Sequence, residues 1–260
     1  MYNLMLYMVS VWQYFIGVVM FRTFLERLDS LMFRFRRASS GRYRYSGSYL
    51  DGRASYYYDT DSTGCRVYEG PFRYTKEVYD YSVGKTLYEV KGSFCNNKRN
   101  DRWSFSRKNQ HGKRILYIDY VNGMQSGCYV YKSDECSNGM LHNSGAAYLS
   151  LSMRNGKPVG DVYGCFGKCI LTAVFDDAGL PDGKWIMDMS ASGACWIDHE
   201  IWNHGTLVDA YSVDISTGDR LVPSERIEPF VRSFVYGYCA PLEGLLEKGT
   251  DVWHWDFGLN

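Results

Sequence analysis

Large and polar residues alternate through the middle of this chain, and the pattern restarts every 22 to 33 residues. The restarts can be indexed on Gly52, Thr75, Asn97, Gly123, Gly156, Gly179 and Gly205. An aromatic or bulky residue stands three places before most of these origins: Tyr49, Phe72, Phe94, Tyr120, Met153 and Trp202. Another large residue stands six places after: Tyr58, Tyr81, Trp103, Tyr129, Val162, Trp185 and Tyr211. A period of this size marks an array of small supersecondary units. Such arrays present extended surfaces more often than catalytic pockets.

Each unit reads as a β-hairpin. Asn122-Gly123 and Asn155-Gly156 are two-residue turn signals, because both central residues need φ > 0. Asp51-Gly52 and Asn96-Asn97 are similar, and His204-Gly205 is a weaker version. A two-residue turn places position −5 of each unit opposite +4, and −7 opposite +6, all on one face. Six of the seven −5/+4 pairs then join a glycine to a larger residue: Gly47/Tyr56, Gly70/Tyr79, Gly92/Asp101, Ile118/Gly127, Leu151/Gly160 and Val174/Gly183. The expected reason is a side chain lying over bare glycine backbone across the strand. Glu200/Asp209 breaks the rule and predicts an irregular last unit. The unit between Phe72 and Tyr81 lacks its turn glycine.

The pairing predicts unlike faces. One carries Tyr45/Tyr58, Tyr68/Tyr81, Val90/Trp103, Leu116/Tyr129 and Leu149/Val162. The other carries Lys91, Ser93, Cys95, Lys98, Asn100 and Arg102 in the third unit, and Ser150, Ser152, Arg154, Lys157 and Asp161 in the fifth. An aromatic face backed by a polar one suits an antiparallel sheet buried on one side.

Val90-Lys-Gly-Ser-Phe-Cys-Asn-Asn-Lys-Arg-Asn-Asp-Arg-Trp103 and Asp119-Tyr-Val-Asn-Gly-Met-Gln-Ser-Gly-Cys-Tyr129 resemble MORN repeats, of the form aromatic-x-x-Gly-x-x-x-Gly. MORN units usually carry glycine at +6. Trp, Tyr or Val stands there in this chain, which is closer to the bacterial repeats of the YwqK antitoxin type. The resemblance covers roughly residues 42 to 219 and implies a β-hairpin array with binding or scaffolding roles. The expected fold is therefore mainly β: an elongated antiparallel meander of hairpin repeats in a single-layer, MORN-like sheet of 12 to 14 strands. A helical N-terminal segment and a small helix/strand C-terminal cap complete it, with divisions at 1–40, 41–220 and 221–260.

The ends depart from the pattern. Leu4 to Phe21 is almost continuously apolar, and Arg22, Arg27, Arg34, Arg36 and Arg37 follow it. Phe24, Leu25, Leu28, Leu31, Met32 and Phe35 then recur at helical spacing. Three readings remain open: a membrane anchor with an interfacial helix, a soluble helix covering the aromatic face, or a start at Met20 or Met32. At the other end Pro223–Tyr236 reads as a helix capped by Ser224, and Leu242–Leu246 as a helical turn ended by Gly249. Val252–Phe257 reads as a strand, and the whole stretch as a cover for the last edge and apolar face. Net charge is zero overall, yet residues 1–110 hold 18 Lys/Arg against 10 Asp/Glu and residues 111–260 hold 11 against 19. A basic end could face an anionic surface, or the charges could simply be solvated.

Chemistry-bearing motifs are thin. Eight cysteines include no Cys-x-x-Cys, and Cys165 and Cys169 have no matching second pair for zinc. His199-Glu200-Ile-Trp-Asn203 lacks the second His of a zinc-protease helix and lies in an expected strand. Asp176, Asp177 and Asp182 read as turn chemistry rather than a calcium loop. Basic and aromatic residues interleave at Arg42-Tyr-Arg-Tyr45, but lone strand-edge arginines are a weak signal for nucleic-acid binding, and no nucleic-acid partner is expected. The expectation is a non-catalytic protein-binding or scaffold protein, antitoxin- or immunity-like in its most specific form, with no cofactor and no metal. Its binding face would comprise Tyr58, Tyr81, Trp103, Tyr129 and Trp185, left partly exposed in a shallow groove. The alternatives are a scaffold anchored to a membrane by its N-terminal helix and an enzyme with an unrecognised site. The expected location is cytoplasmic, with attachment to the inner face of the membrane left open.

Overall fold

The period-two alternation builds a sheet, and its turns follow the Asn and Gly positions. The computed structural model describes residues 42–81, 83–134, 146–223 and 226–246. Among them fourteen strands pair antiparallel in chain order. They are β1 (Tyr43–Tyr49), β2 (Gly52–Thr60), β3 (Arg66–Asp80), β4 (Gly84–Cys95), β5 (Lys98–Asn109), β6 (Gly112–Val121) and β7 (Met124–Ser133). The second half continues with β8 (Ala147–Arg154), β9 (Lys157–Phe166), β10 (Cys169–Phe175), β11 (Pro181–Asp188), β12 (Trp196–Asn203), β13 (Thr206–Asp214) and the two-residue β14 (Arg220–Leu221). The sheet is an open meander, with β1 and β14 at its two edges. The expected helices within 1–40, the Ser224 cap, the Gly249 stop and the strand Val252–Phe257 lie outside the described residues.

Asn122-Gly123 and Asn155-Gly156 form the expected tight turns, with φ of 52° and 87° in the first and 52° and 82° in the second. Asn96-Asn97 and His204-Gly205 also adopt positive φ. These four tips share a second regularity: each bonds back to the preceding hairpin. The N–H groups of Asn97, Gly123, Gly156 and Gly205 donate to the carbonyls of Tyr68, Arg99, Gln125 and Pro181 at 2.8–3.0 Å. Thr75 is the exception to the repeat. It lies inside the 15-residue β3, paired with Arg53 and Glu89, and no turn forms there. The first turn falls on Leu50-Asp51, one residue earlier than Asp51-Gly52.

The expected −5/+4 pairing is corrected by bulges. In β6/β7, Tyr120 faces Gln125, and then Ile118 faces Tyr129, so the register moves by two residues. The same two-residue step occurs in β4/β5, β8/β9 and β10/β11. A step of two preserves which face each side chain occupies. At each step the +4 residue has left-handed backbone: Asp101 (φ 59°), Gly127 (115°), Gly160 (70°) and Gly183 (64°). The +4 glycines are thus explained by a bulge that other side chains tolerate poorly, rather than by a ring above them. At −5 the ring explanation does hold once: the Trp103 indole lies so close over Gly92 that a Cβ there would fall inside it. The last hairpin is irregular, with a one-residue shift between Ile201 and Trp202. Glu200 therefore faces Ala210 and avoids Asp209, which pairs with Arg220.

One face of the sheet forms a continuous core from Ala54, Tyr56, Phe72 and Tyr74 to Trp185, Met187 and Trp202. Across it lies a helical segment, α1 (Ile227–Phe234), a π turn (Val235–Cys239), α2 (Ala240–Glu243) and a final 3-10 turn (Gly244–Leu246). Pro229 sits in the first turn of α1, where its missing N–H costs nothing. Pro241 is met differently: the Ala240 N–H bonds five residues back to the Val235 carbonyl, a widened turn that makes room for the proline ring. The opposite face is polar over β3–β5, where Glu89 pairs with Arg73 and Lys91. Farther along it is more apolar than expected, carrying Tyr117, Val130, Tyr148, Tyr163, Ile170 and Ile186.

Candidate functional site

Alternation along the strands places rings on the core face, and burial separates the five residues expected to form a binding surface. Trp103, Tyr129 and Trp185 are 0, 1 and 0 % exposed. Tyr58 is half-buried, and Tyr81 is fully exposed in the β3–β4 turn against Tyr79. The expected open groove is thus corrected for its central rings: they are core, not contact surface. The C-terminal helical segment closes that part of the face. It packs through α1 on β11 and β12 and through α2 on β5 and β6. This agrees with the expected cover for the apolar face: among the described residues the segment crosses the middle of that face.

The buried faces of α1, the π turn and α2 come from apolar residues at i, i+4, i+7, i+8, i+12 and i+15: Ile227, Val231, Phe234, Val235, Cys239 and Leu242. Phe234 meets Tyr131 and Phe166 with ring centroids 5.3 and 4.4 Å apart, and Phe230 meets Phe166 at 5.3 Å. Two buried carboxylates fix the segment along the groove. Glu200 on β12, 1 % exposed, accepts the Ile227 and Glu228 N–H groups at 3.0 and 3.2 Å. It also accepts Trp202 Nε1 at 3.0 Å and the Arg226 Nε. A carboxylate here satisfies the orphan donors of the first helical turn and the positive end of the helix dipole. At the other end Glu243 on α2 accepts the Tyr120 hydroxyl at 3.1 Å and the Gln125 side-chain N–H. Burial, with Cys239 and Glu243 close by, pushes the Tyr129 phenol well above its ordinary value.

Beyond the helix, the same face continues over β1–β3 as a tyrosine surface. Tyr43 stacks on Tyr58 at 5.5 Å, Tyr45 on Tyr56 at 4.8 Å, and Tyr68 packs edge-on to Tyr56. The Arg66 guanidinium lies 4.8 Å over the Tyr58 ring and donates to the Tyr56 hydroxyl. Tyr56 is buried, whereas Tyr45, Tyr49, Tyr58 and Tyr68 are half-buried and Tyr43 is exposed.

The residues weighed for chemistry are held in structural roles. His199 and Glu200 are strand neighbours on opposite faces; His199 packs on Tyr211. Burial and the Lys184 charge hold the His199 imidazole below its usual value. Asp176 caps its turn by accepting the Ala178 and Leu180 N–H groups and pairs with His204 Nδ1 at 2.9 Å, while Asp177 pairs with Arg154. Cys165 and Cys169 flank the β9–β10 turn, the first half-buried and the second in the core, so they do not face a common site. Among the described residues no group of His, Cys, Asp and Glu is arranged to hold a metal ion, and no helix is long and apolar enough to cross a membrane. Sequence reasoning missed Glu200 and Glu243 as anchors. The available signal was an acid in the inward phase of a strand, two residues before the inward Trp202. No family model matches this chain, and neither a curated protein nor a solved structure matches it.

Proposed function

We propose that this chain is a non-catalytic protein-binding scaffold built from MORN-like hairpin repeats, antitoxin- or immunity-like in its most specific form. The observation that carries this reading is the tyrosine surface over β1–β3. Ring pairs and Arg66 hold it in place, yet Tyr43, Tyr45, Tyr49, Tyr58 and Tyr68 keep part of their area open to a partner. Pre-ordered tyrosines offer large contact area at little entropic cost and are enriched where proteins bind one another. The bulged repeat and its Asn/Gly tips support the MORN-like element of the proposal.

A photo-reactive side chain at Tyr58 in the full-length protein should crosslink to one discrete protein partner. The same group at Lys91, on the opposite face, should not. Equal capture from both positions overturns the assignment of the face. A toxin-like reading frame beside the gene would select the antitoxin-like form.

A further inference from the structure

We infer that the covered part of the apolar face, over β5–β12, is a receptor groove for an amphipathic helix, and that residues 226–246 are its displaceable resident. The biological partner in this inference rests on the binding-protein reading above; the groove and its resident do not. Three observations carry it. First, the contact has the form of helix-in-groove recognition: apolar anchors recur from Ile227 to Leu242 and enter an aromatic floor of Tyr129, Tyr131 and Phe166. Second, polar anchors at both ends define what fits. An occupant must offer free first-turn N–H groups to Glu200 and, sixteen positions later, a carboxylate to Tyr120 and Gln125.

Third, the resident is a poor helix by itself. It contains Gly237 and Pro241 within its length, and it needs a π turn to continue past Pro241. Glycine within a helix costs about 1 kcal/mol and proline about 3, and α1 and α2, of 8 and 4 residues, are each too short to hold alone in water even with good residues. Its order therefore derives from the groove. A helix with the same anchors and better propensity would enter with less loss on ordering. The resident's advantage is tethering: the segment begins five residues after β14, so its effective concentration is in the millimolar range. A free helix of micromolar affinity then meets a competitor that weakens it about a thousandfold.

The test uses the full chain and a fluorescent synthetic peptide of residues 226–246. Wild type should not bind micromolar peptide. The variant Val231→Asp/Phe234→Asp, which ejects the resident by charging its buried face, should bind it at least tenfold more tightly than wild type, and a peptide with the same two changes should bind neither. In the variant Cys239, now fully buried, should become alkylated at least tenfold faster, read by peptide mass. A variant that keeps its sheet by circular dichroism but binds no peptide, or whose Cys239 stays protected, overturns the inference. Should that variant not fold, Glu200→Gln leaves every apolar contact in place and should still speed Cys239 alkylation. In wild type itself, the amides of 227–246 should exchange at least tenfold faster than those of β6 and β7; equal protection overturns a displaceable helix. A wild-type dimer with exchanged helices would overturn the in-cis assignment. All of these outcomes are independent of the crosslink at Tyr58.

Discussion

Replacing Glu200 by alanine should show how much the sheet's carboxylate contributes to holding the helix. Its side chain accepts four donors. Arg226 is 42 % exposed at its side chain and can turn to water, so its loss matters little. Trp202 Nε1 and the N–H groups of Ile227 and Glu228 belong to buried residues, so bulk water does not readily replace the acceptor they lose. An orphaned buried donor costs about 1–3 kcal/mol. Three of them, relieved in part by water entering the space left behind, give about 3–5 kcal/mol, the range found when one partner of a buried pair is removed. Against a total stability of about 5–15 kcal/mol, this lowers the urea midpoint by about 1–2 M for a slope of about 2.5 kcal/mol/M. Tryptophan emission follows the transition, since Trp202 itself bonds to Glu200. Glu200→Gln should cost about half as much, because one carbonyl still serves the helix while the new amide faces other donors. Arg226→Ala should cost under about 1 kcal/mol. A midpoint shift below about 0.5 M for Glu200→Ala would refute the capping role. Equal losses for Glu200→Ala and Arg226→Ala would show that the ion pair, not the helix N–H groups, carries the contact.

Gly92→Ala should be strongly destabilising, by about 3 kcal/mol or more, because its Cβ would enter the buried Trp103 indole. Gly156→Ala has open space but keeps φ at 82°, and should cost only about 1 kcal/mol; thermal melts that rank the two the other way contradict the packing described. Trp185→Ala should cost about 3–5 kcal/mol through a core cavity, whereas Tyr81→Ala at the exposed turn should stay within about 0.5 kcal/mol. In an NMR titration His204 should have a raised midpoint, from its bond to Asp176 and the Asp182 charge, and His199 a lowered one. The His204 contribution to stability should be fully present below the imidazole's ordinary value near 6.5 and be lost as pH rises through the raised folded value. Asp176→Asn should bring the His204 midpoint down, and no movement would remove the pair as the cause.

The hairpins at Asn122-Gly123 and Asn155-Gly156, and the shared face of Trp103 and Tyr129, were legible because a period of two and an Asn-Gly turn are local consequences of side-chain direction and φ. The same locality explains the error at Thr75. Spacing alone suggested a unit there, yet nothing in that stretch supplies a turn residue, and β3 runs through it. The +4 glycines were visible as a pattern, but their cause was not. A register step of two leaves the facing of every side chain unchanged, so the alternation cannot distinguish a bulge from a plain ladder.

What the sequence by itself determined is which residues turn, which alternate and which face is aromatic, since each depends on neighbours a few positions away. Only the tertiary structure decided which part of that face remains open. Trp103, Tyr129 and Trp185 have the same spacing signature as Tyr58, yet they are buried and it is not, because a helical segment from the end of the chain lies over strands far from it in sequence. Its placement is set by Glu200 and Glu243 reaching partners 27 and 123 residues away. Contacts of that separation leave no period in the sequence, because burial and hydrogen-bond complementarity are properties of surfaces brought together by folding.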